Sequence, residues 1–150
     1  MAVTSKLFGQ ANLKACNKEI DWDSDTIKVK LYTGAITLAT VQDSWVYEAD
    51  IETLAEVANG SGYTTGGITL ANKTIGYTSG TNVIKRDADD AIWSSASITA
   101  TYAIIIDTQS ANTATNPLIG IVDFGGSKVS SSGNFTIAWD SAGIFTDTSA

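Results

Sequence analysis

The feature that most limits how this chain can fold is a succession of short runs rich in Ile, Val, Thr and aromatic residues. Gly, Asn, Ser and Asp interrupt them at intervals of roughly 8–12 residues. The clearest run covers residues 26–33, where Ile27, Val29 and Leu31 alternate with Lys28, Lys30 and Tyr32. Side chains on a strand alternate between two faces, so this pattern predicts a strand buried on one side. The two lysines would guard such a strand if it lay at a sheet edge. Further strands are predicted over residues 51–57, 68–78, 83–87, 92–93, 97–107, 118–124, 134–139 and 143–146. Many short strands joined by polar turns indicate a sandwich or a barrel. The expectation is an all-β fold, a single antiparallel β-sandwich of jelly-roll-like form over residues 1–150, with a short N-terminal helix.

That helix is predicted over residues 4–20, where Leu7, Phe8, Ala11, Ala15 and Ile20 approximate one face and Ser5 stands at a capping position. Gly9 weakens it by about 1 kcal/mol relative to Ala. Residues 35–59 give mixed signals. Trp45, Ala49 and Glu52 fall at helical spacing, whereas Ile51, Thr53, Ala55 and Val57 alternate. They are read as a loop, a helical turn over residues 44–49, and a strand from 51 to 57. Gly60-Ser61-Gly62 and Gly66-Gly67 punctuate the next connection, where glycine permits positive φ.

Composition narrows the function. The net charge is −7 with only nine Lys and Arg residues. Nucleic-acid binding depends on clustered cations that displace phosphate counterions, and no such cluster occurs. The acidity suits a solvated surface, or one that docks onto something more basic. Histidine is absent, so Ser-His-Asp and Cys-His catalysis and histidine-based zinc sites cannot be built from this chain. Cys16 is the single cysteine and is expected to be a small buried hydrophobe. No apolar run suits a signal peptide or a membrane span, so synthesis and first folding in a cytoplasm are expected, with no membrane partner.

Few side chains are arranged for chemistry. Asp21, Asp23 and Asp25 have the spacing that opens a calcium loop, but Thr26 replaces the required Gly and Tyr32 the bidentate Glu. A polar turn is the expected reading there, and a charged loop the expected reading of Asp87-Ala88-Asp89-Asp90. Carboxylate pairs are expected to be solvated surface, and no enzymatic activity, metal or cofactor is expected. Trp93 and Trp139 lie within predicted strands and are assigned to the core. Trp22 and Trp45 lie near loops, where exposed aromatics would anchor a protein partner.

Several segments occur in a familiar order. They are Met1-Ala2-Val3-Thr4-Ser5-Lys6, Ile20-Asp21-Trp22-Asp23-Ser24-Asp25, Gly62-Tyr63-Thr64-Thr65-Gly66-Gly67 and Ala71-Asn72-Lys73-Thr74. Asp87-Ala88-Asp89-Asp90 with Trp93, and Ile98-Thr99-Ala100-Thr101-Tyr102-Ala103, continue the series. Pro117-Leu118-Ile119-Gly120 with Val122-Asp123-Phe124-Gly125 follows, and Phe135-Thr136-Ile137-Ala138-Trp139-Asp140 with Gly143-Ile144-Phe145 ends it. In this order they resemble a family of small tailed-phage proteins encoded among virion structural genes. Residues 34–58 diverge most from it.

The resemblance implies a virion component, made in the host cytoplasm, that decorates or cements the capsid surface. Its partner would be the major capsid protein, with homo-oligomeric or multi-copy lattice contacts. It carries no catalytic motif across. Lys6, Leu7, Phe8, Trp22, Trp45 and Tyr47 are the expected partner-facing residues, and loops 35–45 and 108–116 offer further docking surface. Two alternatives stand beside this reading. One is a tail, collar or baseplate subunit; the other is a carbohydrate-binding module using Trp22, Trp45 or Tyr63.

Overall fold

The computed structural model describes residues 2–3 and 5–149. The chain begins with β1 (Ala2–Val3), β2 (Ser5–Leu7), helix α1 (Ala11–Cys16) and β3 (Ile27–Thr33). A short helix α2 (Leu38–Val41), a 3-10 turn (Glu48–Ile51) and β4 (Ala55–Glu56) come next. They are followed by β5 (Ile68–Thr69), β6 (Thr74–Thr78), β7 (Val83–Asp87), β8 (Ala91–Ala96) and β9 (Thr99–Asp107). A second 3-10 turn (Thr113–Thr115) precedes β10 (Leu118–Val129), β11 (Gly133–Trp139) and β12 (Phe145–Thr148). The fold is an all-β sandwich. Among the described residues, no helix is long and apolar enough to cross a membrane.

The central sheet runs β2–β10–β9–β3–β4, and β5 also pairs with β3. Its pairings are antiparallel, with Val29 opposite Ile105 and Ile121 opposite Ile104. A second sheet, β1–β11–β8, includes one parallel pairing, in which Val3 lies opposite Trp139. The third sheet, β12–β7–β6, forms a wing at the side.

β9 explains why the central sheet is covered on both faces. Its run Ala103-Ile104-Ile105-Ile106 is wholly buried, so apolar side chains leave the strand in both directions. Toward the second sheet, Ala103 and Ile105 share a core with Val29, Leu31, Val122, Trp93, Phe135 and Ile137. Trp93 meets Phe135 edge-on at 5.9 Å and stacks on Tyr63 at 6.1 Å. On the other face, Ile104 and Ile106 pack with Phe8, Tyr32, Ile51, Tyr102, Leu118 and Ile121. Ile36, Leu38, Trp45 and Leu54 close over this cluster. Each such side chain stabilises the fold by about 1.5–3 kcal/mol when fully buried.

Several boundaries differ from those predicted. The expected helix over residues 4–20 shrinks to Ala11–Cys16, because Ser5–Leu7 pairs with β10 instead. Gly9 then meets the loop after α2, and its N–H donates to the Gln42 carbonyl at 2.9 Å. A Cβ on Gly9 would come within 2.7 Å of Asp43 Oδ1. Cys16 is exposed rather than buried, since Ala11 is the helix residue turned into the core. β3 is interior, flanked by β9 and by β4 and β5, so Lys28 and Lys30 guard no edge.

The helical turn predicted over residues 44–49 is displaced: α2 precedes it and the 3-10 turn begins at Glu48. The Asp50 carboxylate accepts from the Val46 and Tyr47 N–H groups at 2.8 and 2.9 Å, favouring a turn there. That leaves only Ala55–Glu56 of the strand predicted over 51–57. The run over 68–78 breaks between β5 and β6, where Asn72 has φ 49° and the chain changes sheets. The loop predicted to begin at Gly125 is instead a continuation of β10 with an irregular register between Asp123 and Lys128. The glycines of the residue 60–67 connection do have positive φ, as expected.

Candidate functional site

The six residues expected to face a partner do not form one surface. Lys6 is exposed on β2, which lies at the end of the central sheet. Leu7 packs toward the inner core, whereas Phe8 is buried in the outer cluster, with the half-buried Trp45 ring 6.3 Å away. Tyr47 is half-buried and tied to α1. Its hydroxyl lies 2.5 Å from Lys14 Nζ and donates to Glu19 Oε2 at 3.0 Å. The bond to the Tyr47 hydroxyl, and that of Lys14 Nζ to Glu19 Oε2 at 2.9 Å, hold the Lys14 ammonium above its usual range, and the Lys14 bond lowers the Glu19 carboxyl.

Trp22 corrects the expectation of an exposed anchor. It is only 3% exposed, its ring meets Phe145 edge-on at 6.1 Å, and Nε1 donates to the Asp87 carbonyl at 3.2 Å. The polar residues around it suggested a loop, but its own partners come from β7 and β12. Tyr63 is buried as well. Its hydroxyl accepts from the Leu31 N–H at 3.1 Å and donates to Glu56 Oε1 at 2.7 Å. Burial pushes its ionisation well above the usual tyrosine range. Phe8 is likewise a core residue. The aromatic residues proposed as a sugar platform are therefore dispersed, and two of them are inaccessible.

A more coherent accessible surface is the wing, which the sequence pattern did not single out. Register places Ile75 opposite Arg86 and Tyr77 opposite Ile84, so these four side chains share one face of β6–β7. Phe145, opposite Arg86 on β12, continues that face into the core. Beyond the core the apolar face is uncovered: Ile75 is 46% exposed and Tyr77 59%. Ile75 and Arg86 also line a groove with Ala15, Ile20, Trp22 and the charged Lys18, Asp21 and Asp23. β6 is an edge strand of the wing. Alternation of Ile75 and Tyr77 with Thr74, Gly76 and Thr78 is identical to that of a half-buried strand, so no sequence signal distinguished exposure from burial.

The wing is held in place by a closed polar group. Arg86 Nη1 donates to Asp147 Oδ2 at 2.5 Å, while Nη2 donates to Asn12 Oδ1 at 3.1 Å. Asn12 Nδ2 in turn donates to Asp147 Oδ1 at 3.0 Å. β7, β12 and α1 are thereby joined through three side chains.

A third feature is acidic. Asp107, at the end of β9, is fully buried, and its Oδ1 has no hydrogen-bond partner. Burial pushes its carboxyl up to about 7, helped by the adjacent Asp25 carboxyl. The polar pocket beside it is lined by Lys18, Asp21, Ser24, Asp25, Thr26, Thr108 and Gln109. Among the described residues, no three Cys, His, Asp or Glu side chains form a set suited to a metal ion. Comparison with known proteins gave no match to a family model, a curated protein or a solved structure.

Proposed function

We propose that the chain is a structural component of a tailed-phage virion that decorates the capsid and docks on the major capsid protein through the β6–β7 wing. The observation that carries the docking surface is the uncovered Ile75 and Tyr77 face, formed on a strand pair already built into the fold. The virion assignment rests on the family resemblance of the ordered segments. Covering what remains exposed of these two side chains contributes on the order of 2–3 kcal/mol per copy. That is weak for an isolated complex and sufficient where many copies bind one lattice. The acidic balance, −7 overall, favours a partner surface of opposite sign.

The test is addition of the purified protein to capsids assembled without it, followed by sedimentation and measurement of DNA retention under osmotic shock. Wild-type protein should co-sediment and protect the heads, and an Ile75→Ser/Tyr77→Ser double variant should remain folded and lose both effects. Co-sedimentation unaltered in the double variant moves the docking surface off the wing. Absence of wild-type protein from heads, with binding to tails, replaces decoration by the collar or tail reading.

A further inference from the structure

We infer that Lys30 and Asn116 react with each other, assisted by Glu48, to form an isopeptide bond within the chain, with loss of ammonia. The inference is independent of the capsid reading. Three side chains from distant parts of the sequence meet on the outer side of the central sheet. Lys30 comes from β3, where it lies opposite Ile104 of β9. Glu48 opens the 3-10 turn, and Asn116 lies two residues before β10. All three are withdrawn from water: the Lys30 side chain is 13% exposed, Glu48 6% and Asn116 1%.

One carboxylate spans the amine and the amide. Glu48 Oε1 accepts from Lys30 Nζ, and Oε2 accepts from Asn116 Nδ2 at 2.7 Å. Glu48 is therefore placed to take a proton from one nitrogen and deliver one to the other, the two transfers that aminolysis of an amide needs. The rest of the Asn116 amide is held as an electrophile. Its Oδ1 accepts from two successive backbone N–H groups, those of Gln109 and Ser110, both at 3.1 Å. Paired donors of this kind stabilise the negative charge that develops on a carbonyl oxygen under attack, and most strongly where water is excluded. Nδ2 also donates to the Ser110 carbonyl at 3.0 Å, which fixes the amide plane with Oδ1 toward the two donors.

The step balances within these side chains. Lys30 passes a proton to Glu48 and becomes the neutral amine, its nucleophilic form. The nitrogen lone pair forms the Nζ–Cγ bond while the carbonyl π pair moves onto Oδ1. Glu48 then protonates Nδ2 and removes a second proton from Nζ. The Cγ–Nδ2 bond breaks, its electron pair leaves with ammonia, and the carbonyl re-forms. Glu48 ends as a neutral carboxylic acid, so a buried site that held two charges holds none, as burial favours. No oxidant, reductant or co-reactant is consumed. Fixing amine, amide and carboxylate in one cluster removes most of the entropic cost of bringing them together. The bond ties β3 to the segment entering β10, across the intervening β9, and closes residues 30–116 into a ring.

The experiment is intact-mass and tandem mass spectrometry of the purified whole chain after prolonged incubation at neutral pH. Wild type should be lighter than its sequence by one ammonia, and digestion should yield a branched peptide joining Lys30 to Asn116, uncut after Lys30. The branched peptide decides the matter, because cyclisation at Asn59-Gly60 loses the same mass without joining two peptides. Lys30→Arg and Glu48→Gln should each keep the full mass. Native circular dichroism of Glu48→Gln separates loss of the proton carrier from loss of folding. Wild type should also migrate ahead of Glu48→Gln in a denaturing gel, since a closed ring keeps the chain compact. A free Lys30 amine and an intact Asn116 amide in incubated wild type overturn the inference, as does a link formed at undiminished yield in folded Glu48→Gln.

Discussion

Lys30 and Glu48 form the ion pair whose removal should be most costly, because both are largely withdrawn from water. Their side chains are 13% and 8% exposed. Lys30 Nζ donates to Glu48 Oε1, and Asn116 Nδ2 donates to Oε2 at 2.7 Å. The Glu48 N–H also donates to the Asn116 carbonyl at 2.8 Å. This group joins β3, the 3-10 turn and Asn116, two residues before β10, fastening the segment that covers the outer cluster. Lys30→Met leaves the carboxylate buried with the Asn116 amide alone. Removing one partner of a buried pair costs about 3–5 kcal/mol. For a chain of this length each kcal/mol lowers Tm by roughly 2–4 °C, so a fall of about 6–20 °C is expected.

Replacing both partners by apolar residues removes the pair together with its desolvation cost. The double variant Lys30→Met/Glu48→Met should therefore be more stable than either single variant, with a coupling of about 2 kcal/mol or more. Urea unfolding of the four proteins measures it. Single substitutions costing under about 1 kcal/mol, or strictly additive effects, would show a solvent-screened pair and refute the clamp. Hydrogen exchange adds a positional check: amides of residues 48–57 should lose protection in Lys30→Met while those of β9 retain it.

Two further outcomes follow from the residue 60–67 connection and its neighbours. Gly67 has φ 70°, and a Cβ there would fall 2.0 Å from the Val29 carbonyl oxygen, so Gly67→Ala should cost several kcal/mol and be read directly in urea unfolding. Tyr32 and Tyr63 are buried, and their ionisation lies well above the ordinary value of 10.0. Above that value the unfolded state releases these protons first. Stability should be intact below about pH 10 and decline as pH rises beyond it, with the Tyr32 and Tyr63 phenolate signals appearing only on unfolding. Phenolate absorbance from all five tyrosines before loss of the native circular dichroism would contradict this burial.

Legibility along the sequence follows the way each element is stabilised. β3, β9 and β11 were readable because alternation, or an unbroken apolar run, records burial at the level of single strands. Residues 35–57 were not, because Ile36, Leu38, Trp45 and Ile51 cover a neighbouring sheet without a regular period of their own. The N-terminal helix was drawn too long for a related reason. Leu7 and Phe8 suit a helical face with Ala11, yet Leu7 packs toward one core and Phe8 into the other, as strand geometry requires. Trp22 was misplaced because its local sequence is acidic, while its environment is supplied by Asp87 and Phe145 from far along the chain. Asp107 carried one faint signal, a carboxylate directly after Ile104-Ile105-Ile106, where burial continues past the apolar run.

The same division bears on how the protein would work on a lattice. Apolar packing builds the two clusters around β9, whereas polar groups fasten what lies outside them. Lys30–Glu48–Asn116 fastens the outer cover, and Arg86–Asp147–Asn12 fastens the wing. A wing clamped in this way is folded before it meets a partner, so docking orders little beyond the side chains at the contact. Ordering costs are a principal reason that buried area fails to become affinity. Under the proposed capsid docking, a small apolar face such as Ile75 and Tyr77 would become effective through repetition, and the Arg86 clamp would matter to docking as much as the face itself. The clamp is partly exposed, with Asp147 at 28%, so salt screens it more than the buried Lys30 pair. Docking through the wing should accordingly weaken with ionic strength well before the sandwich itself loses stability.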